Sequence, residues 1–153
     1  MKTIAIAAAL ALVSGAASAA EFTGPRIGGN AGYAIEADGV ETLTYAGNLG
    51  YDFALGGGWV VGVTGEVGDT EKTGRDLAAT ARLGKVVSGA LVYGVAGYTN
   101  LAVAGENVDG LRLGAGVELP LTKVANAVVE YRYSDYETGL KANQVTVGLA
   151  FRF

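Results

Sequence analysis

Glu66, Arg82, Arg112, Glu118, Glu130 and Arg132 lie in stretches where apolar residues alternate with small or polar ones. Carboxylates and guanidinium groups of this kind can move protons, hold metal ions or pair with one another. Proton transfer near neutral pH ordinarily draws on histidine, and the chain has none. The hydroxyls of Ser88 and Ser134 therefore lack a base of the usual kind. Gly84-Lys85 lacks the glycine and Ser/Thr spacing of a phosphate loop. Three carboxylate groupings fall in polar connections: Asp69, Glu71 and Asp76; Glu106 with Asp109; Asp135 with Glu137. Their oxygens suit calcium or magnesium, but ordinary solvated charge is the simpler reading. The sequence thus predicts no enzyme, no metal centre and no cofactor. The chemistry left to the six alternating charges is mutual pairing.

The elements that would position them begin after residue 20. MKTIAIAAALALVSGAASAA carries Lys2, then an apolar run, then small residues, the pattern of a secretory signal peptide. Cleavage is expected after Ala20, with Ala19 the neighbouring alternative, so residues 1–20 form the signal and residues 21–153 the mature domain. Removing residues 1–20 takes away Lys2 and no carboxylate, leaving 10 basic against 15 acidic side chains, a charge of −5. That balance, without a basic patch, excludes a nucleic-acid partner. There is no cysteine, so an exported domain of this size must be stabilised without disulfides. No mature segment is apolar for 18 residues, which argues against membrane helices but says nothing of barrels.

Period-two alternation recurs in eight segments. Their apolar sets include Ile27, Ala31, Tyr33 and Ile35; Leu43, Tyr45, Leu49, Tyr51 and Phe53; Trp59, Val61, Val63 and Val67; and Leu77, Ala79, Ala81, Leu83 and Val87. The later sets include Leu111, Leu113, Ala115, Val117 and Leu119; Ala127, Val129, Tyr131 and Tyr133; and Val145, Val147, Leu149, Phe151 and Phe153. The fifth segment, ALVYGVAGYTN, is apolar at both parities, and Leu91, Tyr93 and Val95 are assigned to its outer face. Alternation of this kind, with 25 glycines and only two prolines, predicts strands throughout. Connections alternate between short, weakly charged turns and longer polar stretches, as in an antiparallel up-and-down transmembrane barrel.

Two features place the apolar set outward. The opposite parity is rich in Gly, Ala, Ser and Thr, which fit beside a few large charges inside a narrow eight-stranded barrel. Aromatics also gather toward strand ends: Trp59, Tyr51, Phe53, Phe151 and Phe153 at the short-turn end, Tyr33, Tyr45 and Tyr133 at the other. Two such girdles suit the two membrane interfaces. The interior would then hold Glu66, Arg82, Arg112, Glu118, Glu130 and Arg132 as a plugging ion-pair network, with Arg152 near the rim. Lys85 falls on the lipid side, close enough to the short turns to snorkel. Closure of the last strand on the first spares backbone groups an unpaired edge in lipid.

Val129-Glu130-Tyr131-Arg132-Tyr133-Ser134-Asp135-Tyr136 and the terminal Phe151-Arg152-Phe153, together with the eight alternating segments, resemble small outer-membrane β-barrel proteins of Gram-negative bacteria. The likeness is to the opacity-like and OmpX-like group of the porin superfamily, which includes the OmpA membrane domain, and covers residues 21–153. It implies the cell outer membrane as location, outer-membrane lipid and lipopolysaccharide as surroundings, and a monomer. It also implies recognition of the last strand by the barrel-assembly machinery, with Phe153 in the terminal aromatic position. The expected role is structural or surface-related and non-enzymatic. The alternatives are a passive porin for small solutes and a soluble periplasmic barrel binding an apolar ligand.

Overall fold

Alternation resolves into eight antiparallel strands in the computed structural model, which describes residues 19–36, 41–71 and 74–153. They are β1 (Gly24–Glu36), β2 (Glu41–Gly56), β3 (Trp59–Thr70), β4 (Gly74–Val87), β5 (Ala90–Val103), β6 (Glu106–Pro120), β7 (Ala125–Tyr136) and β8 (Lys141–Arg152). Each pairs with its sequence neighbours, and β8 returns to β1 from Arg26↔Arg152 to Glu36↔Ala142, closing the barrel. The shortest strands have 12 residues. At about 3.3 Å per residue and a tilt of about 40°, such a strand spans roughly 30 Å, the thickness of a bilayer's hydrocarbon core. A short 3₁₀ turn, Ala19–Phe22, precedes β1. Most of the expected signal segment, residues 1–18, lies outside the described residues.

The outward face is the apolar one. Ile27, Leu49, Val63, Leu83, Leu111, Val147 and Leu149 are exposed, whereas arginines and glutamates are buried on the inner face. Trp59, Tyr51, Phe53, Phe151 and Phe153 ring the short-turn end; Tyr33 and Tyr45 stand toward the other. A soluble barrel for an apolar ligand would need the reverse arrangement.

β5 departs from the expected phase. Leu91, Tyr93 and Val95 point inward, with 0%, 4% and 8% of their surface exposed, while Val92 and Tyr98 face out. Alternation cannot phase a segment that is apolar at both parities; interior volume can. Tyr93 pairs with Gly84 on one side and Gly116 on the other. A Cβ on either glycine would come within 2.6 Å of the tyrosine. Two glycines thus open the space that the ring fills. Turned outward, Tyr98 joins the far girdle and donates its hydroxyl hydrogen to Asp109.

Where they are described, the polar stretches expected as longer loops are mainly strand. Asn107–Asp109 pairs with Asn100–Ala102, Asp69 with Arg75, and Asp135 with Lys141. Polar composition marks emergence into water, but a hairpin keeps its ladder beyond the membrane. The β5–β6 connection is only Ala104-Gly105, and β4–β5 only Ser88-Gly89. Both residues of each turn have positive φ: 52° and 90° in the first, 50° and 82° in the second. These are type I′ turns, which match the twist of the flanking strands. Alanine is a poor occupant of that conformation, and Asn-Gly the preferred pair. Ala104→Asn is therefore expected to stabilise the barrel by about 0.5–1 kcal/mol, read from urea unfolding in lipid vesicles.

Candidate functional site

Among the described residues, five arginines and five carboxylates inside the barrel form nine ion pairs. They occupy two tiers. In the tier nearer the short turns, Asp52 accepts from Arg26 at 3.1 Å, Arg82 at 2.7 Å and Arg152 at 2.8 Å. Glu118 is held by Arg82 at 2.9 Å, Arg152 at 2.6 Å and the Asn126 amide at 2.7 Å. Three guanidinium groups face two carboxylates, an excess of one positive charge.

The second tier has the opposite balance. Glu66 accepts from Arg132 at 2.6 Å, Arg112 at 3.2 Å and Asn30 at 3.1 Å. Arg132 also donates to Glu130, and Arg112 to Asp76 and Ser134. Thr99 donates to Asp76 at 2.7 Å. Two arginines here meet three carboxylates.

Tyr93 couples the tiers. Its ring centre lies 4.9 Å from the Arg82 guanidinium carbon, and its hydroxyl donates to Glu130 at 2.7 Å. The π face thus meets the tier with excess positive charge, and the polar tip meets the tier with excess negative charge. Across both tiers the formal charge is zero. Desolvated ions require such neutrality, because each buried charge left alone carries a large penalty.

Strand geometry brings these groups together. Glu130 and Arg132 are two apart on β7 and share its inner face. Asp52 on β2 and Arg82 on β4 are each the cross-strand partner of Gly62 on β3. A Cβ at Gly62 would collide with the Asp52 carboxylate. The bare backbone of β3 thus lets charges from two non-adjacent strands meet. Above and below, apolar side chains close the stack. Phe22, Val60 and Leu91, all fully buried, lie at the short-turn end, and the Arg152 guanidinium stands 5.9 Å from the Phe22 ring centre. Leu101 and Tyr136 are buried toward the opposite end. Two cavities among these side chains have volumes of about 40 Å³ and 30 Å³. Each has room for about two or three waters.

The six residues singled out from sequence, Glu66, Arg82, Arg112, Glu118, Glu130 and Arg132, all lie within these tiers. Sequence reasoning placed Arg152 near the rim without joining it to the network, and singled out neither Asp52 nor Arg26, although the parity of Arg26 is opposite to that of outward Ile27. It missed Tyr93 through the phase of β5, and Phe22 because that residue precedes the first strand. Asp76 is withdrawn from any grouping with Asp69 and Glu71, since its carboxylate is engaged by Arg112 and Thr99. Trp59, Phe151 and Phe153 stand outside on the short-turn girdle, and the Lys85 ammonium lies 5.4 Å from the indole centre of Trp59.

An apolar belt between aromatic girdles, closed around an ion-paired interior, defines a transmembrane β-barrel. The chain belongs to the outer membrane protein beta-barrel domain family, which matches residues 5–153, and its place is the outer membrane. Among solved structures it is similar to Neisserial surface protein A (TM-score 0.65, 15% identity, 86% of this chain and 98% of the other). It is also similar to Ail, the attachment invasion locus protein of Yersinia pestis (TM-score 0.54, 18% identity, 86% and 97% covered). A de novo designed transmembrane β-barrel matches as well (TM-score 0.60, 16% identity, 82% and 93% covered). At such identities the likeness is one of fold. No curated protein sequence matches the chain.

Two substitutions separate the contributions of charge and coupling. Asp52→Asn leaves three arginines sharing a neutral amide and is expected to cost about 3–5 kcal/mol. Tyr93→Phe removes one hydrogen bond to a buried carboxylate and is expected to cost about 1–3 kcal/mol. Urea unfolding in vesicles, followed by far-ultraviolet circular dichroism, measures both.

Proposed function

We propose that the protein is a non-enzymatic barrel of the outer membrane with a structural or surface role, its lumen closed by the charge network. The observation that carries this reading is that all ten interior ions are engaged by one another, in two tiers whose charges balance only together. A conducting lumen would need some of these groups to face a water column, and a catalytic site would need one held free for a substrate. The sequence also lacks histidine, the commonest proton-transfer side chain.

Further parts of the reading are proposals of the same standing. Residues 1–20 act as the export signal, and Phe22 remains in the mature chain as the inner seal of the short-turn mouth. That mouth faces the periplasm, where short turns are customary. Outer-membrane lipid and lipopolysaccharide surround a monomeric barrel, and the assembly machinery acts on β8 during insertion. Among the described residues, the hairpins at the opposite end leave little irregular chain with which to grasp a large partner. The fold does not itself supply a role, since a designed barrel shares it.

A passive porin is the competing reading. The full chain, incorporated into planar bilayers, is expected to leave the baseline conductance unchanged at applied potentials of either sign. Stable unitary openings that scale with the amount of protein would sink the sealed-lumen reading.

A further inference from the structure

The lipid-facing side carries a feature that the interior does not account for. The outward row of β4 runs Leu77, Ala79, Ala81, Leu83, Lys85, Val87 toward the short turns. Lys85 is exposed and stands opposite Trp59 in the ladder, with its ammonium against the indole. Among the described residues no carboxylate lies within ion-pair distance of it. An ammonium on a lipid face without a counter-charge is unfavourable, increasingly so with depth.

Along the same strand, toward the middle of the barrel wall, lies a shallow groove. Gly65, Ala79, Ala81 and Ala96 form its floor, and Leu49 and Val63 stand beside it. The floor is continuous, because Gly65 pairs with Ala79 and Ala81 with Ala96. Lys85 lies four positions beyond Ala81, about 13 Å along the strand and roughly 10 Å in depth at a tilt of about 40°. That is the depth of the middle of an acyl chain whose headgroup sits at the level of Lys85.

We propose that Lys85, Trp59 and this groove form a site for one anionic glycerophospholipid of the leaflet that meets the short turns. The phosphate pairs with Lys85 Nζ, the indole flanks the headgroup, and an acyl chain lies over the small residues. Charge complementarity selects this occupant over a second copy of the chain. A second copy could cover the apolar groove, but a copy related by a twofold axis would bring another Lys85 rather than an anion. The inference does not depend on whether the lumen is sealed.

Trp59 is the single tryptophan of the chain and so reports on this site alone. The full chain is reconstituted in phosphatidylcholine vesicles containing increasing fractions of 6,7-dibromo-phosphatidylglycerol, with 6,7-dibromo-phosphatidylcholine as reference. Heat-dependent gel mobility verifies folding in each sample. Half-maximal quenching is expected at an about five-fold lower mole fraction of the anionic lipid, the preference conferred by one lysine near an anionic surface. Lys85→Gln should bring the two curves together, and Lys85→Arg should keep them apart. Filling the groove with Ala81→Leu and Ala96→Leu should shift half-maximal quenching by the anionic lipid to a higher mole fraction. Coincident curves for the unsubstituted protein overturn the proposal, as does a preference that survives Lys85→Gln or a half-quenching fraction that the filled groove leaves unchanged. A dimer seen by native mass spectrometry that the filled groove dissolves overturns it in favour of a second copy.

Discussion

Hydrocarbon offers no partner to a backbone N–H or C=O, and an unpaired group there is unfavourable by several kcal/mol. Pairing β8 with β1 removes the last open edge and makes the other features of the molecule necessary. A closed ladder has two faces of fixed parity. The face toward lipid must be apolar, and the other encloses a lumen only wide enough for side chains. Large groups can enter that lumen only where their neighbours are small. Gly62 admits the contact between Asp52 and Arg82, and Gly84 with Gly116 admits Tyr93.

The interior ions answer a second requirement set by the first. Bulk water cannot solvate five arginines in a lumen of this width, so their solvation must come from carboxylates, amides and hydroxyls of the chain. Arginine suits the task because its planar fork of donors can reach two carboxylates at once, as Arg82 and Arg152 each do with Asp52 and Glu118. Buried ion pairs of this kind are weak evidence for net stability. Their stronger effect is on register. A slip of one residue would turn Arg112, Glu118, Glu130 and Arg132 into the lipid and the leucines into the lumen, so the charges select a single pairing of the strands.

How much of this was legible in the sequence depended on whether parity carried information. It did in the seven other segments, through Leu, Val and Tyr opposed to Gly, Thr, Glu and Arg, and the inward charges followed from it. It failed at β5, where both parities are apolar and only the glycines across the ladder decide which residues have room inside. Strand ends were also hard to read. The pattern around Arg26 begins at a proline and glycine, and Phe22 belongs to no strand. Polar stretches such as Asn107–Asp109 read as loop because composition reports contact with water, whereas the hairpin ladder persists beyond the membrane. The linking role of Tyr93 depends on side-chain reach across strands, which linear spacing does not encode.

The interior ions solvate one another, and the proposed closed lumen depends on that. All five interior arginines direct Nε–H at an inward acceptor: Arg26 and Arg82 at Asp52, Arg112 at Ser134, Arg132 at Glu130 and Arg152 at Glu118. Hydrogen exchange at arginine Nε, followed by nuclear magnetic resonance on the full chain in lipid nanodiscs, reads these bonds directly. Five guanidinium signals that persist long after exposed Arg75 has exchanged are the result predicted. Exchange of the five as fast as that of Arg75 would show a lumen open to water and contradict the account.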